Sequence, residues 1–108
     1  MVLLWTNPTP TAAFGAQTIS VDLSGCDFIV VAYGTSNAAD ARLTHLIHEK
    51  GRTSLCISLL NNKIVYRAQN GVTDSGITFG NGASVSSYGS NNENNAVMIP
   101  VKIYGLKA

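Results

Sequence analysis

The only two histidines of the chain fall in the segment His45-Leu46-Ile47-His48-Glu49. Three residues apart, they share a face on a helix and are placed to hold a metal ion. On a strand they point to opposite faces, and the site disappears. No further His or Cys stands at ligand spacing, so His45 and His48 are expected to be ordinary strand residues, with no metal and no cofactor. Nucleophilic catalysis needs a nucleophile, a base and an orienting group brought together. Cys56 lies in the apolar run Leu55-Cys56-Ile57-Ser58-Leu59-Leu60, where burial raises a thiol's pKa and hides it. Cys26 follows Gly25 in a turn. Two cysteines make at most one bridge, and free thiols in a reducing cytoplasm are expected. No serine sits in a Gly-x-Ser-x-Gly elbow. Asp22 and Asp74 read as surface and turn residues. Gly76, Gly80 and Gly82 form no phosphate loop, because no Lys-Ser/Thr follows them, and they are expected to serve bends and bulges. No catalytic residue is expected, and the chain reads as a non-enzyme.

Sugar binding has better material. Such sites stack an exposed aromatic on a sugar face and bond its hydroxyls with Asn, Asp or Thr. Trp5, Tyr33, Tyr66, Tyr88 and Tyr104 supply aromatics, and Asn-rich loops supply amides. Trp5, Tyr66 and Tyr88 are the ligand-binding candidates. The competing reading makes Trp5 and Phe28 core residues and the loops merely solvated, since large aromatics are mostly buried.

The elements that must position these residues are strands. Ile19, Val21 and Leu23 alternate with Thr18, Ser20 and Asp22, a period-two pattern. Asp27 to Tyr33 is a continuous β-branched and aromatic run, suited to a strand buried on both faces. Ser24-Gly25-Cys26 between them predicts a hairpin. Asn37 to Arg42 has room for one helical turn. Arg42 to Glu49 reads as a strand ended by Lys50-Gly51-Arg52, and Thr53 to Leu60 as another. Asn61-Asn62 is a tight-turn signal before Lys63 to Gln69. Asn70-Gly71 predicts a turn, Ile77 to Phe79 and Ala83 to Tyr88 two short strands, and residues 89–95 a loop. Ala96 to Tyr104 closes the chain, with Pro100 at a sheet edge or a bulge because proline cannot donate to a ladder. Eight or nine short strands with regular turn signals predict an all-β, antiparallel, jelly-roll-like β-sandwich.

A chain of 108 residues with 45% hydrophobic residues suits one domain over residues 1–108. Only 12% of residues are charged, about half the usual share, which fits a surface partly covered by neighbours. The net charge of +1 comes without a Lys/Arg cluster, which argues against nucleic acid. The apolar start Val2-Leu3-Leu4-Trp5 is too short for the core of a secretory signal. No run approaches the ~20 apolar residues of a membrane-spanning helix, so no membrane insertion is expected.

The opening Leu4-Trp5-Thr6-Asn7-Pro8-Thr9-Pro10, with Phe14, Gln17-Thr18-Ile19 and Asp27-Phe28-Ile29-Val30-Val31, resembles a small β-rich module of phage and prophage tail, baseplate or tail-fibre structural proteins of low-GC Gram-positive bacteria. The closing Ile99-Pro100-Val101-Lys102-Ile103-Tyr104-Gly105 resembles the last strand of such modules. The resemblance implies a virion protein made in the bacterial cytoplasm and assembled as a homotrimer. It also implies contact with other virion tail proteins and attachment to a host cell-surface polysaccharide. The alternative is a stand-alone, lectin-like carbohydrate-binding domain with no virion role.

Overall fold

A computed structural model of the chain describes residues 1–36, 44–85 and 91–107. Nine strands follow in order: β1 (Val2–Thr6), β2 (Gln17–Ser20), β3 (Phe28–Gly34), β4 (Thr44–Glu49), β5 (Ser54–Leu60), β6 (Lys63–Thr73), β7 (Gly76–Val85), β8 (Asn91–Glu93) and β9 (Ile99–Leu106). Every pairing is antiparallel. One sheet has the order β1-β9-β3-β4; the other has β2-β7-β6-β5, with β8 continuing the β2 edge of β7. The protein is therefore all-β, with two antiparallel sheets. Among the described residues no helix is long and apolar enough to cross a membrane.

The core is the apolar filling between the sheets. Ile29, Val31, Tyr33, Ile99 and Ile103 come from one sheet, and Ile19, Cys56, Val65, Val72, Ile77 and Phe79 from the other. Tyr33 meets Phe79 edge to face across the gap, with centroids 6.2 Å apart. Alternation explains which residues point inward. Ile19 and Leu23 are buried while Thr18, Ser20 and Asp22 are exposed, as the period-two pattern predicts. β3 is buried on both faces through Ile29 to Gly34, also as predicted.

The first and last strands meet: β1 pairs with β9 from Val2↔Gly105 to Thr6↔Lys102. A bulge between Leu3 and Trp5 inserts Leu4, so that both Leu4 and Trp5 pack against the core. Pro100 lies at a bulge: Ala32 faces Lys102 but Tyr33 faces Pro100. Asn61 and Asn62 both take positive φ, 50° and 65°, making the tight turn between β5 and β6.

Several sequence expectations are corrected. The segments around Ile19 and Val30 do not form a hairpin, since β2 pairs with β7 while β3 pairs with β4 and β9. The turn at Ser24-Gly25 carries the chain from one sheet to the other instead of folding it back. Asn70-Gly71 is not a turn but part of β6, where the register against β7 shifts between Gln69 and Gly71. The expected pair of strands after Gly76 is one ten-residue strand, β7. Residues 91–93 of the expected loop form β8. The helical turn expected over Asn37 to Arg42 lies outside the described residues. Jelly-roll-like wrapping is present where β1, β2 and β3 alternate between sheets. It gives way to a β5-β6-β7 meander, held in one sheet by its short turns.

Candidate functional site

A cleft of about 320 Å³ opens where the edge strand β1 of one sheet faces the edge strand β2 of the other. Trp5 lines it from β1, Gln17 to Ser20 from β2, and Pro8, Thr9, Ala12 and Ala13 from the intervening loop, with Phe14 and Ile19 as apolar floor. Trp5 is placed there by the β1 bulge: it packs partly on the core and leaves the rest of its ring at the cleft.

The loop wall is built by Asn7. Its amide Nδ2 donates to the Pro100 carbonyl at 2.9 Å, and its Oδ1 accepts from the Thr9 backbone N–H at 2.8 Å. Its backbone N–H donates to the Val101 carbonyl at 2.7 Å. Asn7 is thus occupied in holding the Pro8–Pro10 turn against β9. The other polar residues along the cleft are Thr9, Gln17, Thr18 and Ser20; the Gln17 amide bonds the Gly15 carbonyl at 3.2 Å, and the Thr18 hydroxyl pairs with that of Thr78 at 2.9 Å. An aromatic wall, an apolar floor and a few amide and hydroxyl groups form a concave surface of the kind that binds small neutral polar ligands.

The other sequence candidates lie elsewhere. Tyr66, on β6 opposite Ile57 and Ala83, belongs to the outer face of its sheet. Tyr88 lies outside the described residues. Tyr104 packs outside the β1-β9-β3-β4 sheet against Ala32 and Val101. Tyr33 is fully buried. His45 and His48 leave opposite faces of β4: His45 is exposed and His48 buried, as the strand reading predicts.

Burial gives His48 a setting that its sequence neighbours do not reveal. Its Nε2 lies 2.8 Å from the Tyr33 hydroxyl, and its Nδ1 3.2 Å from Ser54 Oγ. Tyr33 Oη is also 3.2 Å from Cys56 Sγ, and Ser54 hydrogen-bonds Cys56. Two proton arrangements satisfy the whole ring: His48 Nδ1–H donates to Ser54, Ser54 to Cys56, Cys56 to Tyr33 and Tyr33 to His48 Nε2, or the same circuit runs in reverse from the Nε2–H tautomer. Every member is neutral. Burial lowers the His48 pKa to about 4, and it raises those of the Tyr33 hydroxyl and the Cys56 thiol. The ring ties β3 and β4 of one sheet to β5 of the other. Both cysteines are free.

Beside the ring, Arg67 is wholly enclosed. It donates from Nε to the Met98 carbonyl at 2.8 Å, from Nη1 to Gly80 at 2.7 Å and from Nη2 to Val97 at 3.1 Å. Its guanidinium lies 5.2 Å from the Phe14 ring centroid, a cation–π distance. Burial lowers its pKa to about 10, so it stays charged at neutral pH. This clamp holds the turn into β9, where Met98 takes a positive φ of 48°.

The sequence reading found Trp5 but missed Gln17 and Ser20 as its companions. It also missed the ring and Arg67. The available signal was parity: Val65, Arg67 and Gln69 alternate on β6, so a buried Val65 carries the other two inward. Set beside known proteins, the chain matches no family model, no curated protein and no solved structure.

Proposed function

We propose that this chain is a non-enzymatic binding module of a phage or prophage tail, baseplate or fibre, and that its Trp5 cleft attaches it to a glycan on the host cell surface. The observation that carries the reading is the placement of a partly exposed Trp5 in a cleft lined also by Thr9, Gln17, Thr18 and Ser20. A sugar ring offers that cleft an apolar face for the indole and hydroxyls for the polar rim. The virion setting is supported by the resemblance of the two terminal segments, which here form one closing strand pair.

Titration of the protein with cell-wall polysaccharide purified from a Gram-positive host, followed by ligand-detected NMR and calorimetry, tests the cleft. The expected result is binding with a Kd on the order of 1 mM per site, about −4 kcal/mol. Trp5→Ala should weaken it about tenfold or more, the loss of one aromatic stacking contact. Binding unchanged in Trp5→Ala sinks the cleft assignment. Mass spectrometry of purified particles tests the setting: absence from the virion, with glycan binding intact, leaves the stand-alone lectin-like domain.

A further inference from the structure

The strand β5 is an edge of its sheet. Its seven residues, Ser54-Leu55-Cys56-Ile57-Ser58-Leu59-Leu60, include no charge and no proline, and its register against β6 runs without a bulge. These are the devices by which exposed edges are protected from pairing. Among the described residues no strand pairs with its free side.

The outer face beside that edge is apolar where an antiparallel sheet facing water is usually polar. Leu55, Ile57 and Leu59 are 53%, 50% and 69% exposed, and Ile64 on β6 is 46% exposed. Cross-strand pairing continues the face through Ile57↔Tyr66↔Ala83 and Leu59↔Ile64↔Val85. The four exposed aliphatic side chains show about 400 Å² of apolar surface, the size of the largest patch on a typical monomer. Pairing at the edge lays this face beside that of a partner strand, so the seam is made of ladder hydrogen bonds and of apolar cross-strand pairs.

We infer that the occupant is a second copy of this chain, joined by antiparallel pairing of β5 with β5 of the copy about a twofold axis at Ile57. The sequence is self-complementary in that register. Leu55 then faces Leu59 of the copy, Ile57 faces itself, and Cys56 faces Ser58, so the apolar side meets the apolar side throughout. The two sheets become one continuous sheet, and both edges are removed.

Light scattering behind size exclusion on the full chain, from 1 to 100 μM, reads the state directly. A dimer is expected, with Ile57→Lys weakening it by at least 100-fold while circular dichroism stays unchanged. Ile47→Lys, at a more exposed position on the other sheet (Ile47 is 66% exposed), should leave the dimer intact. Ile57→Cys should cross-link to its copy on oxidation, because directly opposed strand residues place their Cβ atoms within disulfide reach. The inference is overturned by a monomer at 100 μM or by a trimer, the state that the resemblance implies. It is equally overturned by a dimer indifferent to Ile57→Lys, by one dissolved as readily by Ile47→Lys, or by an Ile57→Cys chain that cross-links no more than the parent.

Discussion

The Tyr33 hydroxyl lies 2.8 Å from Nε2 of His48 in the interior, and this contact defines a histidine that folds neutral. His48 is only 3% exposed, and burial holds its pKa at about 4 against an ordinary 6.5. The unfolded chain therefore binds a proton that the folded chain refuses between those two values. Stability is fully present above about pH 6.5 and falls as the pH drops toward 4, by about 3 kcal/mol in all. Urea midpoints measured from pH 7.5 to 4 should show this slope, and His48→Gln should flatten it.

Arg67 sets a second expectation. Replacing it with Met removes a guanidinium whose burial costs about 3 kcal/mol, as its lowered pKa indicates. The same change strips donors from the Gly80, Val97 and Met98 carbonyls, each costing about 1–3 kcal/mol when left unmet. The carbonyls outweigh the charge, so Arg67→Met should destabilise by about 3 kcal/mol in chemical denaturation. Arg67→Lys should fall between, since a single ammonium cannot span three acceptors.

How much of this was legible depends on what each residue needs to declare itself. The buried run to Tyr33 and the Asn61-Asn62 turn are local signals found where the sequence places them; the alternation at Ile19-Val21-Leu23 holds in burial, although the strand that carries it, β2, ends at Ser20. Asn70-Gly71 misled because the same dipeptide serves a turn and a bulge, and only the continued pairing of β6 with β7 decides between them. The Ser24-Gly25 turn misled because a hairpin and a crossing between sheets begin with the same residues. The ring around His48 was hidden for a different reason: Tyr33, His48, Ser54 and Cys56 come from three strands, and their meeting is a property of topology. Trp5 was visible as an aromatic, whereas its cleft needed β2 opposite β1.

Gly82 faces Arg67 across the β6–β7 pair. A methyl group there would press into the Asn94 carbonyl, lie 2.7 Å from Arg67 Nη2 and 3.0 Å from the Val97 carbonyl. Gly82→Ala should cost about 2–3 kcal/mol, seen as a lower melting temperature. Gly71→Ala, with nothing within 4 Å of the added carbon, is the matched control and should change little.

The β5–β6 turn offers an improvement. Asn62 sits at φ 65°, a conformation that glycine adopts without steric cost and that Asn-Gly turns favour. Asn62→Gly should stabilise the hairpin by about 0.5 kcal/mol, whereas Asn62→Val should lose about 1 kcal/mol or more. Urea denaturation of the two variants checks the sign.

Because Val2 pairs with Gly105, the polypeptide enters and leaves this fold through neighbouring rungs of one ladder. A module with a single doorway can be spliced into a surface loop of an unrelated host protein with a few linking residues, and its backbone need not be stretched to bridge the gap. Joining its ends and cutting a new opening at the Asn61-Asn62 turn should equally leave the β1–β9 ladder in place. The architecture is thus portable, able to be carried as a cassette wherever two adjacent attachment points are on offer.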